Sequence, residues 1–187
     1  ARKHVVEYDD VMNKQREIIY GLRHRVLNSE INDEEIVSNL QRRLETIVTS
    51  YAPHGIVESE VAPIVTALVE VVPFDDASQQ NMASEFKRLG TAKEITALIN
   101  QIIIDTISQR KSQVRESDWK NIVKFAYLSS IDNLWVDHLD AVDDLRSGIG
   151  LRGYGQRDPL VEYKSEAFSM FERLHAQIDT EFSKRLF

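Results

Sequence analysis

Asp137, His138, Asp140, Asp143 and Asp144 crowd about two turns' worth of chain. Carboxylates beside an imidazole are the donors from which a divalent-metal site or a water-activating acid/base pair is built. The spacing argues otherwise. His138 falls on an apolar seam, where a hydrogen-bonded packing histidine is the commoner outcome, and the aspartates mostly project from other faces of the same helix. Gly150-x-x-Gly153-x-Gly155 superficially resembles a phosphate-cradling loop, but it follows a helical pattern rather than a strand and lacks the lysine of such a loop. No G-x-x-x-x-G-K-[ST] string occurs, so ATP binding is not assigned to these residues. The absence of cysteine removes disulfides, thiolate zinc ligands and thiol nucleophiles together. No catalytic residue and no metal ligand is therefore assigned, and a hydrolase built on the aspartate-rich helix is set aside. His4 with Glu7, and Glu34-Glu35, read as solvated helix ends or surface charges that complement helix dipoles.

The elements that would position any site are helical. The chain has 187 residues, 42% hydrophobic and 28% charged, with only 7 Gly and 4 Pro, a composition that suits helices better than a sandwich or barrel. A net charge of -7 repels a phosphate backbone, so nucleic acid is not an expected partner. Ile102-Ile103-Ile104 and Val71-Val72 fall far short of the ~20 apolar residues that a spanning helix requires. The chain opens Ala1-Arg2-Lys3-His4 and passes straight into a helical pattern, which predicts no signal peptide, and the missing Met suggests a fragment.

From Val5 to about Leu27, Val5, Tyr8, Val11, Met12, Ile18, Ile19, Leu22 and Val26 make one stripe. A break is expected around residues 28–33, where Asn32 or Asp33 caps a second helix with the stripe Ile36, Leu40, Leu44, Ile47, Val48 and Tyr51. Pro53 and Gly55 end it. Three shorter helices follow, near 58–72, 77–89 and 92–115, divided by Pro73 and Gly90, with Thr91 capping the third and Glu94 three residues on. No Lys or Arg occurs between Arg43 and Lys87, so this stretch reads as a separate, acidic lobe.

In the last third Leu128, Ile131, Trp135, His138, Val142, Leu145 and Ile149 alternate by three and four, the seam of a long helix packed lengthwise on another. Ser117 or Asp118 is expected to cap it and Gly148 to stop it. Asp158-Pro159 then starts a second helix whose stripe is Leu160, Tyr163, Ala167, Phe171, Leu174, Ile178 and Phe182. Trp119 and Trp135 read as core anchors. A helix of ~30 residues extends ~45 Å, so the pair forms an antiparallel hairpin shaped to reach. Gly148, Gly150, Gly153 and Gly155 flank Leu151, Arg152 and Tyr154 in the connection between them. The glycines need do no more than close the turn. Tyr154, an amphipathic ring between two glycines, suggests contact with something else.

LWVDHLDAVDDLRSGIGLRGYGQRDPLVEYKSEAFSMFERL, residues 134–174, resembles the two-helix finger of the SecA preprotein translocase motors, and EYDDVMNKQREIIYGLR, residues 7–23, resembles the opening of their long scaffold helix. The resemblance implies an all-α fold of long scaffold helices, an antiparallel two-helix finger and a small helical wing lobe. Residues 1–51 would be the first part of the helical scaffold, 52–115 the wing, and 116–187 the finger with the remainder of the scaffold. The wing is identified by position.

In the family the finger inserts toward the cytoplasmic mouth of a SecY-type channel and acts as a brake on ATP hydrolysis. Its tip tyrosine contacts the translocating preprotein. The match places that tyrosine at Tyr154, with Leu151, Arg152, Gln156 and Arg157 beside it. The scaffold helix would transmit movements of the nucleotide-binding and preprotein-crosslinking domains of the same parent protein. ATP and magnesium would belong to that parent and no cofactor to this segment, which would not be an enzyme alone. The resemblance also implies a cytoplasmic protein peripherally associated with the inner face of the plasma membrane, and contact with anionic lipid. The reading from another class is a freestanding helical adaptor that binds partner helices through its hairpin.

Overall fold

A computed structural model describes the backbone of residues 2–51, 58–152 and 158–187, and the side chains of 6–51, 59–149 and 158–187. The fold is all-α: the described residues form α1 (Arg2–Leu27), α2 (Asp33–Tyr51), α3 (Glu58–Val71), α4 (Asp76–Leu89), α5 (Ala92–Ser112), α6 (Glu116–Arg152) and α7 (Pro159–Leu186). They divide into two compact units, one of Ala1–Glu30 with Tyr127–Ile178, the other of Ile31–Ala126 with Asp179–Phe187.

The first unit is a three-helix bundle. Along α1 the contacts with α6 run from Asp9 on Arg146, through Gln15 on His138, to Arg23 on Asp132, so numbers rise on one helix as they fall on the other and the two are antiparallel. Residues 159–178 of α7 lie antiparallel to α6, with Val142 and Ile149 clustered against Tyr163 and Ala167. The seam expected of a two-helix pair is therefore shared by a third helix: Tyr8, Val11 and Met12 of α1 pack on the same cluster. Ile19 and Val26 are buried on the α1 stripe, whereas Ile18 is 51% exposed. The stripe turns one side of its arc to solvent there.

The break after α1 has a local cause. The N–H of Glu30 donates to the carbonyl of Arg25 and that of Ser29 to Val26, with Ser29 left-handed at φ 58. This is the reverse turn by which a helix satisfies its last carbonyls, here with serine where glycine is usual. Asn32 then caps α2, its Oδ1 accepting from the N–H of Glu35 at 2.8 Å.

The second unit packs α2 against α5 and α3, and α4 against α3 and α5. Ile36, Leu40, Leu44 and Val48 of α2 meet a core that includes Ile64 and Leu68 of α3, Phe86 of α4, and Ile95, Ile99 and Ile103 of α5. Tyr51, assigned to the α2 stripe, is 43% exposed. Thr91 caps α5 as the sequence predicts: its Oγ1 accepts from the N–H of Glu94 and donates to the Glu94 carboxylate at 2.6 Å. Asp75 caps α4, accepting from Ser78 N–H at 2.7 Å, and Gly90 closes it at φ 75. Asp33 ties three elements together, accepting from Lys111 Nζ and from Trp119 Nε1 at 2.8 Å.

Two expected helix ends differ. α6 begins at Glu116, so Ser117 and Asp118 lie inside its first turn, and the Asp118 carboxylate is taken by Arg115 Nε at 2.8 Å instead of capping. Gly148 does not stop α6, which continues to Arg152. A single glycine lowers helix propensity by only about 1 kcal/mol, less than the packing of Ile149, 3% exposed, returns one residue later. Pro53 and Gly55 lie outside the described residues.

Candidate functional site

Of the expected tip contacts, Tyr154, Gln156 and Arg157 lie outside the described residues; Leu151 and Arg152 belong to the backbone of α6, and their side chains lie outside as well. The structure describes the helices on either side of that connection. Ile149 and Leu160 are buried on the two helices just before and after the connection. Asp158 starts α7 by accepting from the N–H of Leu160 at 2.9 Å, with Pro159 in the first helical position, where a missing N–H costs nothing.

Below the connection, α1 braces both helices. The rings of Tyr8 and Tyr163 meet at 4.7 Å, Arg146 lies 5.9 Å over the Tyr8 ring, and its Nη1 pairs with Asp9 at 2.8 Å. Tyr163 is fully buried and its hydroxyl has no hydrogen-bond partner among the described residues. Burial pushes its phenol up from the ordinary value, Arg146 acting in the opposite sense.

One level further down, His138 is buried and donates from Nε2 to Gln15 Oε1 at 2.8 Å, while Gln15 Nε2 donates to the carbonyl of Ala167 at 3.0 Å. A carbonyl only accepts, so the amide nitrogen must face Ala167 and its oxygen must face the imidazole, which fixes the proton on Nε2. Burial holds the His138 pKa below its usual value, and nearby His175 adds to the effect. Trp135 stacks on the imidazole at 5.5 Å and Phe171 lies at 5.9 Å. His138 is thus the packing histidine that the seam predicts. Asp137, Asp140, Asp143 and Asp144 are exposed, and among the described residues no three metal-binding side chains gather.

Sequence reasoning passed over Gln15, although the signal was present: it occupies a stripe position of α1, three residues after Met12 and four before Ile19. The cross-helix pairs Asp9–Arg146 and Arg23–Asp132, both 2.8 Å, left no trace, because separations of 137 and 109 residues are invisible to local spacing.

The bundle also leaves apolar surface uncovered. Tyr20 (53% exposed), Val136 (58%) and Leu27 (43%) line an apolar groove of about 480 Å³ between α1 and α6, with Trp135 forming part of its wall. A second, polar groove of about 540 Å³ lies between Asp9, Arg16, Asp140, Asp143 and Arg146. No helix among the described residues is long and apolar enough to cross a membrane.

The fold and its contacts define an all-α helical scaffold without a catalytic constellation among the described residues, and comparison with known proteins supplies the family. The model of the SecA Wing and Scaffold domain matches residues 1–187. The chain is 37% identical over 187 residues to the protein translocase subunit SecA of Heliobacterium modesticaldum, covering 100% of this chain and 22% of that protein. It is 34% identical over 193 residues to that of Symbiobacterium thermophilum and 35% identical over 197 residues to SecA 1 of Clostridioides difficile, again over 100% of this chain and 21% and 20% of theirs. The chain belongs to the SecA family as its wing and scaffold domain, a part of the protein-transport translocase, and spans about a fifth of the length of these relatives.

Proposed function

We propose that this chain carries movement from the ATPase domains of a SecA motor to a preprotein passing through a SecY-type channel. Residues 1–51 and 116–187 form scaffold and finger in this reading, and 52–115 the wing. The observation that carries it is the bracing of both α6 and α7 by α1. Where the family's scaffold helix is moved by its neighbouring domains, a displacement of α1 would push the two finger helices together. Exposed Tyr20 and Val136 on α1 and α6 suit contact with the nucleotide-binding or preprotein-crosslinking domains of the parent. ATP and magnesium act in those domains, and this segment adds no catalytic group. The protein works on the cytoplasmic side, peripherally at the inner face of the plasma membrane, where anionic lipid is a further partner by family alone.

Tyr154 touches the translocating chain, and Leu151, Arg152, Gln156 and Arg157 form its surroundings. A tip that meets many unfolded sequences works by weak contacts of an amphipathic ring rather than by a shaped pocket. Family membership favours this reading over a freestanding adaptor. Site-specific crosslinking from position 154 of the full-length parent, with a stalled preprotein and channel present, is expected to give adducts with one or both. Adducts with neither would remove the finger assignment.

A further inference from the structure

The apolar stripe of α1 recurs turn by turn, with Tyr8, Val11 and Met12 packed on the α6–α7 cluster and Ile19 and Val26 buried further along, and repetition is a weakness in a transmitting joint. A stripe of Tyr8, Val11, Met12, Ile19 and Val26 slid by one helical turn, about 5.4 Å, would again bury apolar groups against apolar groups. The surface pairs that oppose such a slip are weak ones. Asp9–Arg146 and Arg23–Asp132 have side chains 40–51% exposed, where solvent screens them.

We infer that Gln15 is the register pin of the bundle, a positioning residue whose one amide bonds α6 through His138 Nε2 and α7 through the Ala167 carbonyl and so permits a single axial alignment of all three helices. Gln15 is 5% exposed and His138 6%, so neither can exchange its bond for water when the helices slide. A slipped bundle would leave the amide and the imidazole buried without partners. One buried polar residue on an apolar seam is a known means of fixing alignment between helices. The amide also joins both finger helices to α1 at one level, so an axial push on α1 reaches them equally instead of being lost to sliding. That last consequence rests on the proposed function; the pin itself concerns only the packing of this chain.

The chain contains no cysteine, so spin labels attach only where cysteines are introduced. Asp10 of α1 and Asn133 of α6 are exposed and, from the Asp9–Arg146 alignment, lie about 18 Å apart along the helix axes, so a slip of one turn registers as a change of about 5 Å. Pulsed electron–electron distances between labels on D10C and N133C are expected to show one narrow population in the otherwise unchanged chain, at low and at high salt. Gln15→Leu should add a second population displaced by about 5 Å, and His138→Phe, which breaks the same bond from α6, should do likewise. A single unshifted population in both variants would overturn the inference. Loss of helical circular dichroism in both would also overturn it, because the bonds would then hold the bundle together rather than align it. Because no transport is measured, failure here leaves the proposed function standing.

Discussion

Tyr163 and His138 show how burial separates two polar side chains on one seam. His138 has its hydrogen bond with Gln15; Tyr163 has none among the described residues, and a buried hydroxyl without a partner carries its desolvation cost uncompensated. Tyr163→Phe is therefore expected to raise the unfolding free energy by about 1 kcal/mol in urea denaturation. A loss of that size would show that the hydroxyl has a partner. The seam position of both residues could be read from spacing alone, as could the roles of Trp119 and Trp135. Which of the two found a partner could not, because Gln15 lies on a helix separated from His138 by 123 residues.

At the scale of the helices, most caps and stripes were legible, whereas the cap expected at Ser117 or Asp118 and the stop expected at Gly148 both differ from the structure. Asn32, Thr91 and Asp158 each accept from a backbone N–H at the start of a helix, as their types and positions predict. Gly148 stands inside α6, where the packing around Ile149 overrides its local preference. A Cβ built on Gly148 meets nothing within 4 Å. Gly148→Ala should therefore stabilise the chain by about 1 kcal/mol, read as a raised midpoint of thermal unfolding. A lowered midpoint would mean that the glycine serves a conformation other than the helix. The two-helix seam was visible in the sequence, but α1 as its third member was not. An amphipathic stripe states that a helix is buried on one side without stating by what.

Across the whole molecule, the buried and half-buried titratable groups pull stability in opposite directions with pH. His138 and His175 are held below the usual histidine value by burial, so the unfolded chain takes up their protons first and stability falls as pH drops below about 6.5. Asp179 behaves oppositely. Burial raises its pKa to about 6 against the fields of Arg42 and Arg43, so the folded chain binds the extra proton and gains stability as pH falls from about 6 toward 3.8. Asp179→Asn keeps the shape of the neutral acid and is expected to stabilise the chain at pH 7.5 by on the order of 2 kcal/mol. That advantage should shrink to nothing near pH 4. An advantage that stays constant across this range in denaturant titrations would place the Asp179 pKa at its ordinary value. The all-α class could be read from composition and period. The division near residue 30 was legible as the break expected at residues 28–33, whereas those at 126 and 178 were not, since they fall inside the continuous helices α6 and α7.

The proposed role has the braced helix pair present Tyr154 to a passing polypeptide, and Tyr154→Ala in the intact motor tests that proposal most directly. With folding and ATP binding unchanged, preprotein transport into membrane vesicles is expected to fall severalfold. Transport at the original rate would contradict the account.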